Sequence, residues 1–152
     1  MATEIERKFL PCSDAWREAE ALYFCQGYLN HDKHRTVRVR VVGESGTLTI
    51  KGLTQGVERL EFDYPIPVAD AKALLELCDQ PLIEKYRREI PFGQHLWEVD
   101  EFLGENAGLV VAEIELSGVD EAFEKPDWVG PEVSDDPKYF NSSLSKHPYS
   151  RW

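Results

Sequence analysis

The chain has 152 residues, with 17 Lys and Arg against 28 Asp and Glu and a formal net charge of −11. That length fits one domain, residues 1–152, able to bury its own core, and the acidic balance argues against nucleic-acid partners, whose binding rests on cations that neutralise phosphates. No segment approaches the ~20 apolar residues of a membrane span, the N-terminus lacks a leader's basic-then-apolar order, and Cys12, Cys25 and Cys78 match no zinc or redox spacing, so a cytoplasmic protein with reduced thiols and no membrane partner is expected.

Period-two alternation predicts a first strand from Thr3 to Leu10. Helical spacing then predicts a helix from Ser13 to Leu22, opened by a Ser13 cap. Strands follow from Tyr23 to Leu29, Arg35 to Val42 and Thr47 to Lys51, the last two joined by the turn Gly43-Glu44-Ser45-Gly46. A strand from Arg59 to Pro65 ends at Pro65 and Pro67, before a helix from Val68 to Cys78 with Ala71, Leu74, Leu75 and Cys78 on one face. The last alternating segments are Lys85 to Ile90, His95 to Phe102 and Leu109 to Leu116. Beyond Gly118, prolines and glycines interrupt the pattern, leaving short helices at Asp120 to Phe123 and Lys138 to Ser145.

Residues two apart share one face of a strand. One face therefore collects Glu4, Glu6 and Lys8; Arg38 and Arg40; Lys51; Arg59, Glu61 and Asp63; Lys85 and Arg87; Glu98 and Asp100; Glu113 and Glu115. The opposite face carries Ile5, Phe9, Val37, Val39, Val41, Leu48, Ile50, Leu60, Phe62, Tyr64, Trp97, Val99, Ala112, Ile114 and Leu116, which are expected to form the core. An antiparallel sheet wetted on one side alternates in the same way. Here, however, like-signed Glu-x-Glu and Arg-x-Arg pairs recur, and such neighbours repel unless counterions lie between them. Carboxylate oxygens suit Mg²⁺ or Mn²⁺, and the bases suit an anion; together they describe a metal-phosphate site.

The run Glu4-Ile5-Glu6-Arg7-Lys8, followed in order by Arg38-x-Arg40, Lys51, Arg59-x-Glu61, Lys85-x-Arg87, Glu98-x-Asp100 and Glu113-x-Glu115, resembles the CYTH superfamily, the triphosphate tunnel metalloenzymes. Asp136-x-x-Tyr139-x-Asn141 resembles its C-terminal motif, so the likeness runs from residue 2 to about 144. The resemblance implies a mainly β fold: an eight-stranded antiparallel barrel forming a tunnel or bowl, charged inside, with helices packed outside. It implies metal ligation by Glu4, Glu6, Glu113 and Glu115, with Glu98 and Asp100 supporting a second Mg²⁺ or Mn²⁺. Lys8, Arg38, Arg40, Lys51, Arg59, Lys85 and Arg87 would clamp a triphosphate, oriented by Glu61 and Asp63. Glu4, Glu6, Lys8 and Lys85 are the catalytic candidates, for in-line attack of an activated water on the terminal phosphorus.

Within that superfamily the substrates include inorganic tripolyphosphate, thiamine triphosphate and ATP for cyclisation. This short chain has no His-Phe pair ahead of the signature, as the adenylate cyclases have, which favours inorganic tripolyphosphate cleaved to diphosphate and phosphate. The alternatives are thiamine triphosphatase or adenylate cyclase activity on the same scaffold, or a non-catalytic polyphosphate- or nucleotide-binding barrel. The face carrying Val37, Val39 and Val41 leaves room for its own helices or for a second copy, a homodimer. His31 and His34 read as a polar loop, His95 and His147 stand alone, and Gly43-x-x-Gly46 reads as a turn. Packing is favoured over ligand contact for Tyr139 and Asn141.

Overall fold

In the computed structural model, which describes residues 2–152, the alternating segments become hydrogen-bonded strands. They are β1 (Thr3–Pro11), β2 (Ala21–Asn30), β3 (Thr36–Val42), β4 (Ser45–Lys51), β5 (Glu58–Ile66), β6 (Ile83–Phe92), β7 (His95–Phe102), β8 (Val110–Glu115) and the short β9 (Val129–Glu132). Two α-helices join them, α1 (Val68–Leu77) and α2 (Asn141–Lys146).

Strand order is β5-β4-β3-β2-β6-β7-β8-β1, and β1 also pairs with β5, which closes an eight-stranded antiparallel barrel. β1 manages this by dividing its length. Thr3, Glu4 and Ile5 lie opposite Leu60, Arg59 and Glu58 of β5; Glu6 to Phe9 pair with β8; Phe9 and Pro11 pair with β9.

The apolar residues lie mainly outside this barrel. Ile5, Phe9, Trp97, Val99, Ala112 and Ile114 form an outer layer on β1, β7 and β8, covered by Trp16 and Trp128. α1 covers β3 and β4, burying Val39, Ala71, Leu75 and Cys78. Gly27 permits this: a Cβ there would stand 2.7 Å from Cys78 Cβ and 2.6 Å from Leu82 Cδ2. A third cluster, Tyr28, Ile83, Phe102, Leu109 and Val111, meets Leu144 of α2. Ile83 shares its face with Lys85 and Arg87, and Phe102 shares its face with Glu98 and Asp100, so this cluster fills one end of the barrel interior and α2 seals it. The interior is therefore a bowl, apolar at its closed end and charged along the rest.

Four features of the fold differ from the sequence expectation. Ser13 to Leu22 is not a helix: a single 3₁₀ turn at Ala15–Glu18 buries Trp16, and Ser13 makes no cap. Ala21 and Leu22 instead pair with Arg88 and Arg87 of β6, where the sheet supplies their backbone partners. Asp120 to Phe123 is also not helical; Phe123 packs edge-on against Phe9 and Trp97 instead. β9 was unforeseen because Gly130 and Pro131 read as breakers, yet Gly130 allows the approach, since a Cβ there would sit 2.7 Å from the Leu10 carbonyl oxygen. Finally, Leu60, Phe62 and Tyr64 face outward without joining a core: they are 55%, 39% and 52% exposed, because α1 lies over β3 and β4 and not over β5.

Candidate active site

A cavity of about 350 Å³ occupies the barrel interior, walled by side chains from all eight barrel strands and by Phe140, Asn141 and Ser142 at the start of α2. Strand alternation places each charged residue there. β1 contributes Glu4, Glu6 and Lys8; β3 Arg38 and Arg40; β4 Lys51; β5 Arg59, Glu61 and Asp63; β6 Lys85 and Arg87; β7 Glu98; β8 Glu113 and Glu115.

Asp100 departs from expectation. It faces inward but does not line the cavity, and its carboxylate is fully buried. One oxygen accepts from Arg87 Nε at 2.7 Å, and the other from Lys85 Nζ at 2.6 Å and Arg87 Nη2 at 2.9 Å. With both oxygens engaged by cations, Asp100 is a buried counter-ion that fixes Lys85 and Arg87. Burial raises its pKa, but Arg87 and Lys85 outweigh that and hold the carboxyl below its ordinary range.

Most of the other charges are matched within the wall. Lys8 Nζ lies 2.8 Å from Glu6 and 3.4 Å from Glu113. Lys51 Nζ lies 3.3 Å from Glu4 and 3.0 Å from Glu61, and Arg59 donates to Glu4 at 3.2 Å. Arg87 also reaches Glu98 at 3.2 Å. These contacts set the protonation states. Burial pushes the Glu4 carboxyl up, but Lys51, a hydrogen bond with Glu61 and Arg59 bring it to about 2; Glu61, buried and sharing that hydrogen bond, rises to about 7. Glu6, buried beside Lys8, is also held at about 2. Burial raises Glu98 to about 7 despite Arg87, with Glu113 and Asp100 adding to the rise. Burial brings Lys85 down to about 7, against the attraction of Asp100.

Some charges of the wall stay unmatched. Among the described residues, neither Arg38 nor Arg40 forms an ion pair with a carboxylate. Arg38 donates to Thr49 Oγ1 at 3.2 Å, Arg40 donates to Gln26 Oε1 at 2.8 Å, and buried Arg38 Nε has no partner. Burial and the neighbouring Arg38 and Arg87 push the Arg40 guanidinium down. On the acidic side Glu115 has no cationic partner among the described residues and stands opposite Glu6; burial, Glu4 and Glu6 raise its pKa. A cavity with spare cations in its wall and a spare carboxylate at its exposed edge suits an anion and a cation bound together.

Gln26 was missed in the sequence, and Asn141 was named there but expected to pack. Gln26 is fully buried on β2, opposite Arg40 in register, and its Nε2 donates to Asn141 Oδ1 at 3.1 Å. Asn141 also accepts from Lys85 Nζ at 2.9 Å, so it lines the site and does not merely pack. The signal was a lone amide on a largely apolar strand, at the position that shares an inward face with Tyr28. Tyr139, in contrast, does pack, against the third apolar cluster. Thr49 passes the orienting effect of Asp63 to Arg38 by donating to Asp63 at 2.5 Å while accepting from Arg38.

The CYTH domain family model matches residues 2–149. An inorganic triphosphatase of Acetivibrio thermocellus is 51% identical over 154 residues, spanning 100% of this chain and 99% of that protein. An inorganic triphosphatase of Nitrosomonas europaea is 34% identical over 148 residues, spanning 94% of this chain and 97% of its own length. A crystal structure of an inorganic triphosphatase superposes with a TM-score of 0.68 at 32% identity, covering 95% of each chain.

Proposed function

The chain belongs to the CYTH domain family, and from that membership we propose that it hydrolyses the terminal phosphoanhydride of inorganic tripolyphosphate, giving diphosphate and phosphate, with a divalent cation. The observation that carries this reading is the unmatched charge in the bowl: among the described residues, Arg38 and Arg40 have no carboxylate partner and Glu115 has no base.

Among the described residues no three acids already converge as a metal-holding group, and it is the chemistry of the donors that suits a hard cation. Glu6, Glu113 and Glu115 project from the paired strands β1 and β8, with Glu4 next along β1, and offer carboxylate oxygens of the type Mg²⁺ and Mn²⁺ prefer. Glu98, opposite Glu113 in register, would serve a second ion. A bound Mg²⁺ or Mn²⁺ supplies Lewis-acid charge neutralisation and a more acidic water.

The chain's own residues do the rest. Arg38 and Arg40 hold phosphate oxygens through their free guanidinium edges, and an arginine fork does this bidentately. Lys51, Arg59, Lys85 and Arg87 neutralise charge that grows on the leaving diphosphate as the water oxygen bonds to the terminal phosphorus and the bridging bond breaks. Lys8, held between Glu6 and Glu113, fixes the direction of both carboxylates. Asp100, Gln26 and Asn141 hold the bases in place before substrate arrives, so little reorganisation is needed during the reaction. Cytoplasmic location is part of the same reading, with Cys12, Cys25 and Cys78 kept as free thiols.

The test is phosphate release from tripolyphosphate, pyrophosphate, ATP and thiamine triphosphate, each with Mg²⁺, Mn²⁺ or EDTA. Metal-dependent turnover with tripolyphosphate preferred is the expected result. Preference for ATP or thiamine triphosphate would move the substrate assignment, and no turnover with either metal would overturn the hydrolase.

A further inference from the structure

β2 lies between two strands that send bases into the bowl: Arg38 and Arg40 come from β3 on one side of it, Lys85 and Arg87 from β6 on the other. Its own inward positions, Leu22, Phe24, Gln26 and Tyr28, carry no charge. Phe24 is 8% exposed and stands opposite Lys85 in register, yet it belongs to none of the three apolar clusters. Its ring is met by cations instead. Arg40 Cζ lies 4.8 Å from the ring centroid, Arg87 Cζ 4.9 Å and Lys85 Nζ 5.9 Å. All three bases line the cavity, and the ring stands behind them.

These cations are not held alike. Asp100 pairs with both Lys85 and Arg87. Burial and the like charge of Arg38 and Arg87 weigh against the charged form of Arg40, and its one side-chain hydrogen bond among the described residues runs from Nε to Gln26. We propose, on the triphosphatase reading of the bowl, that Phe24 is a positioning residue for the phosphate clamp, its ring face holding the Arg40 guanidinium where a carboxylate would otherwise be needed. A guanidinium is planar and donates from its edge, whereas an aromatic quadrupole attracts the cation over the ring face. A carboxylate beside Arg40 would take up the edge N–H groups that a phosphate requires, as Asp100 does with Arg87. The ring offsets part of the positive charge and leaves Nη1 and Nη2 of Arg40 for the substrate. A leucine would fill similar space and attract no cation.

The experiment measures metal-dependent phosphate release from tripolyphosphate, and Mn²⁺ binding, in wild type, Phe24→Leu, Arg40→Ala and the double variant. One buried cation–π contact at ordinary strength gives an expected rise of about tenfold in KM for Phe24→Leu, with kcat within about threefold of wild type. In the Arg40→Ala background Phe24→Leu is expected to add no more than about twofold. Mn²⁺ binding is expected to be unchanged in Phe24→Leu, because the carboxylates come from other strands. Mono-, di- and trifluorinated phenylalanine incorporated at position 24 keep the shape of the ring and drain its face of negative charge, so KM should climb with each fluorine. If Phe24→Leu fails to fold, the fluorinated series decides alone. A KM that stays flat along that series, or a Phe24→Leu effect that persists in full without Arg40, would overturn the positioning role and leave the bowl standing. Loss of Mn²⁺ binding in folded Phe24→Leu would also overturn it, making the ring a support of the whole site. No cleavage of tripolyphosphate by wild type would overturn both readings.

Discussion

Replacing Asp100 separates a buried counter-ion from a metal ligand. Its carboxylate is fully buried and takes hydrogen bonds from Lys85 at 2.6 Å and from Arg87 at 2.7 and 2.9 Å. Lys85 is itself buried, and Arg40 and Arg87 add like charge around it. Asp100→Ala leaves those cations facing one another without their acceptor, and breaking a buried pair in this way costs about 3–5 kcal/mol. That is a large part of the ~5–15 kcal/mol stability of an ordinary domain. The assay is urea unfolding in EDTA, where no metal contributes. Glu115→Gln is the control: Glu115 has no cationic partner among the described residues, and burial together with repulsion from Glu4 and Glu6 raises its pKa. Its replacement should leave EDTA stability unchanged or slightly higher. A metal ligand at position 100 would behave like the control, so Asp100→Ala within about 0.5 kcal/mol of wild type in EDTA would refute the counter-ion argument.

Other consequences are open to measurement. Gln26→Leu removes the acceptor of Arg40 Nε and the donor to Asn141, and leaving such a buried group unpaired costs about 1–3 kcal/mol; reduced stability together with lower kcat/KM on tripolyphosphate is expected, and unchanged kinetics would deny Gln26 its positioning role. Gly27→Ala forces a Cβ against Cys78 and Leu82, so thermal unfolding should report a loss of about 1–3 kcal/mol while turnover per folded molecule stays the same. Glu132 is held below the ordinary carboxylate range first by its hydrogen bonds with Arg7. Its folded pKa is depressed, so its contribution is present above the unfolded value and fades as pH falls through the folded one. Glu132→Gln should therefore flatten the acid limb of the stability curve below about pH 4.3 and change neutral stability by at most about 1 kcal/mol.

The barrel and the composition of its inner face were legible because strand alternation is a local property: two residues apart means one face, wherever the strand goes. What alternation does not encode is what covers that face. Leu60, Phe62 and Tyr64 were placed outward correctly, yet whether α1 reached them depended on where the helix settled after Pro67. Asp100 and Glu98 occupy equivalent alternate positions, and only the approach of Lys85 and Arg87 from β6 decides that one is enclosed and the other faces the cavity. The helical spacing from Ser13 to Leu22 was real locally but lost to pairing with β6, more than sixty residues away in sequence. Gln26 escaped notice because a single amide gives no periodic signal, although its register opposite Arg40 makes it part of the site.

The central claim is that the carboxylates of β1 and β8 hold the divalent cation on which triphosphate cleavage depends. Its most direct test is Mn²⁺ binding, followed by electron paramagnetic resonance, alongside tripolyphosphate turnover in wild type and Glu4→Gln/Glu6→Gln. The account expects wild type to bind Mn²⁺ and release phosphate, and the folded variant to lose both. Wild-type turnover that persists in EDTA, or a variant that still binds Mn²⁺ and turns over normally, would contradict it.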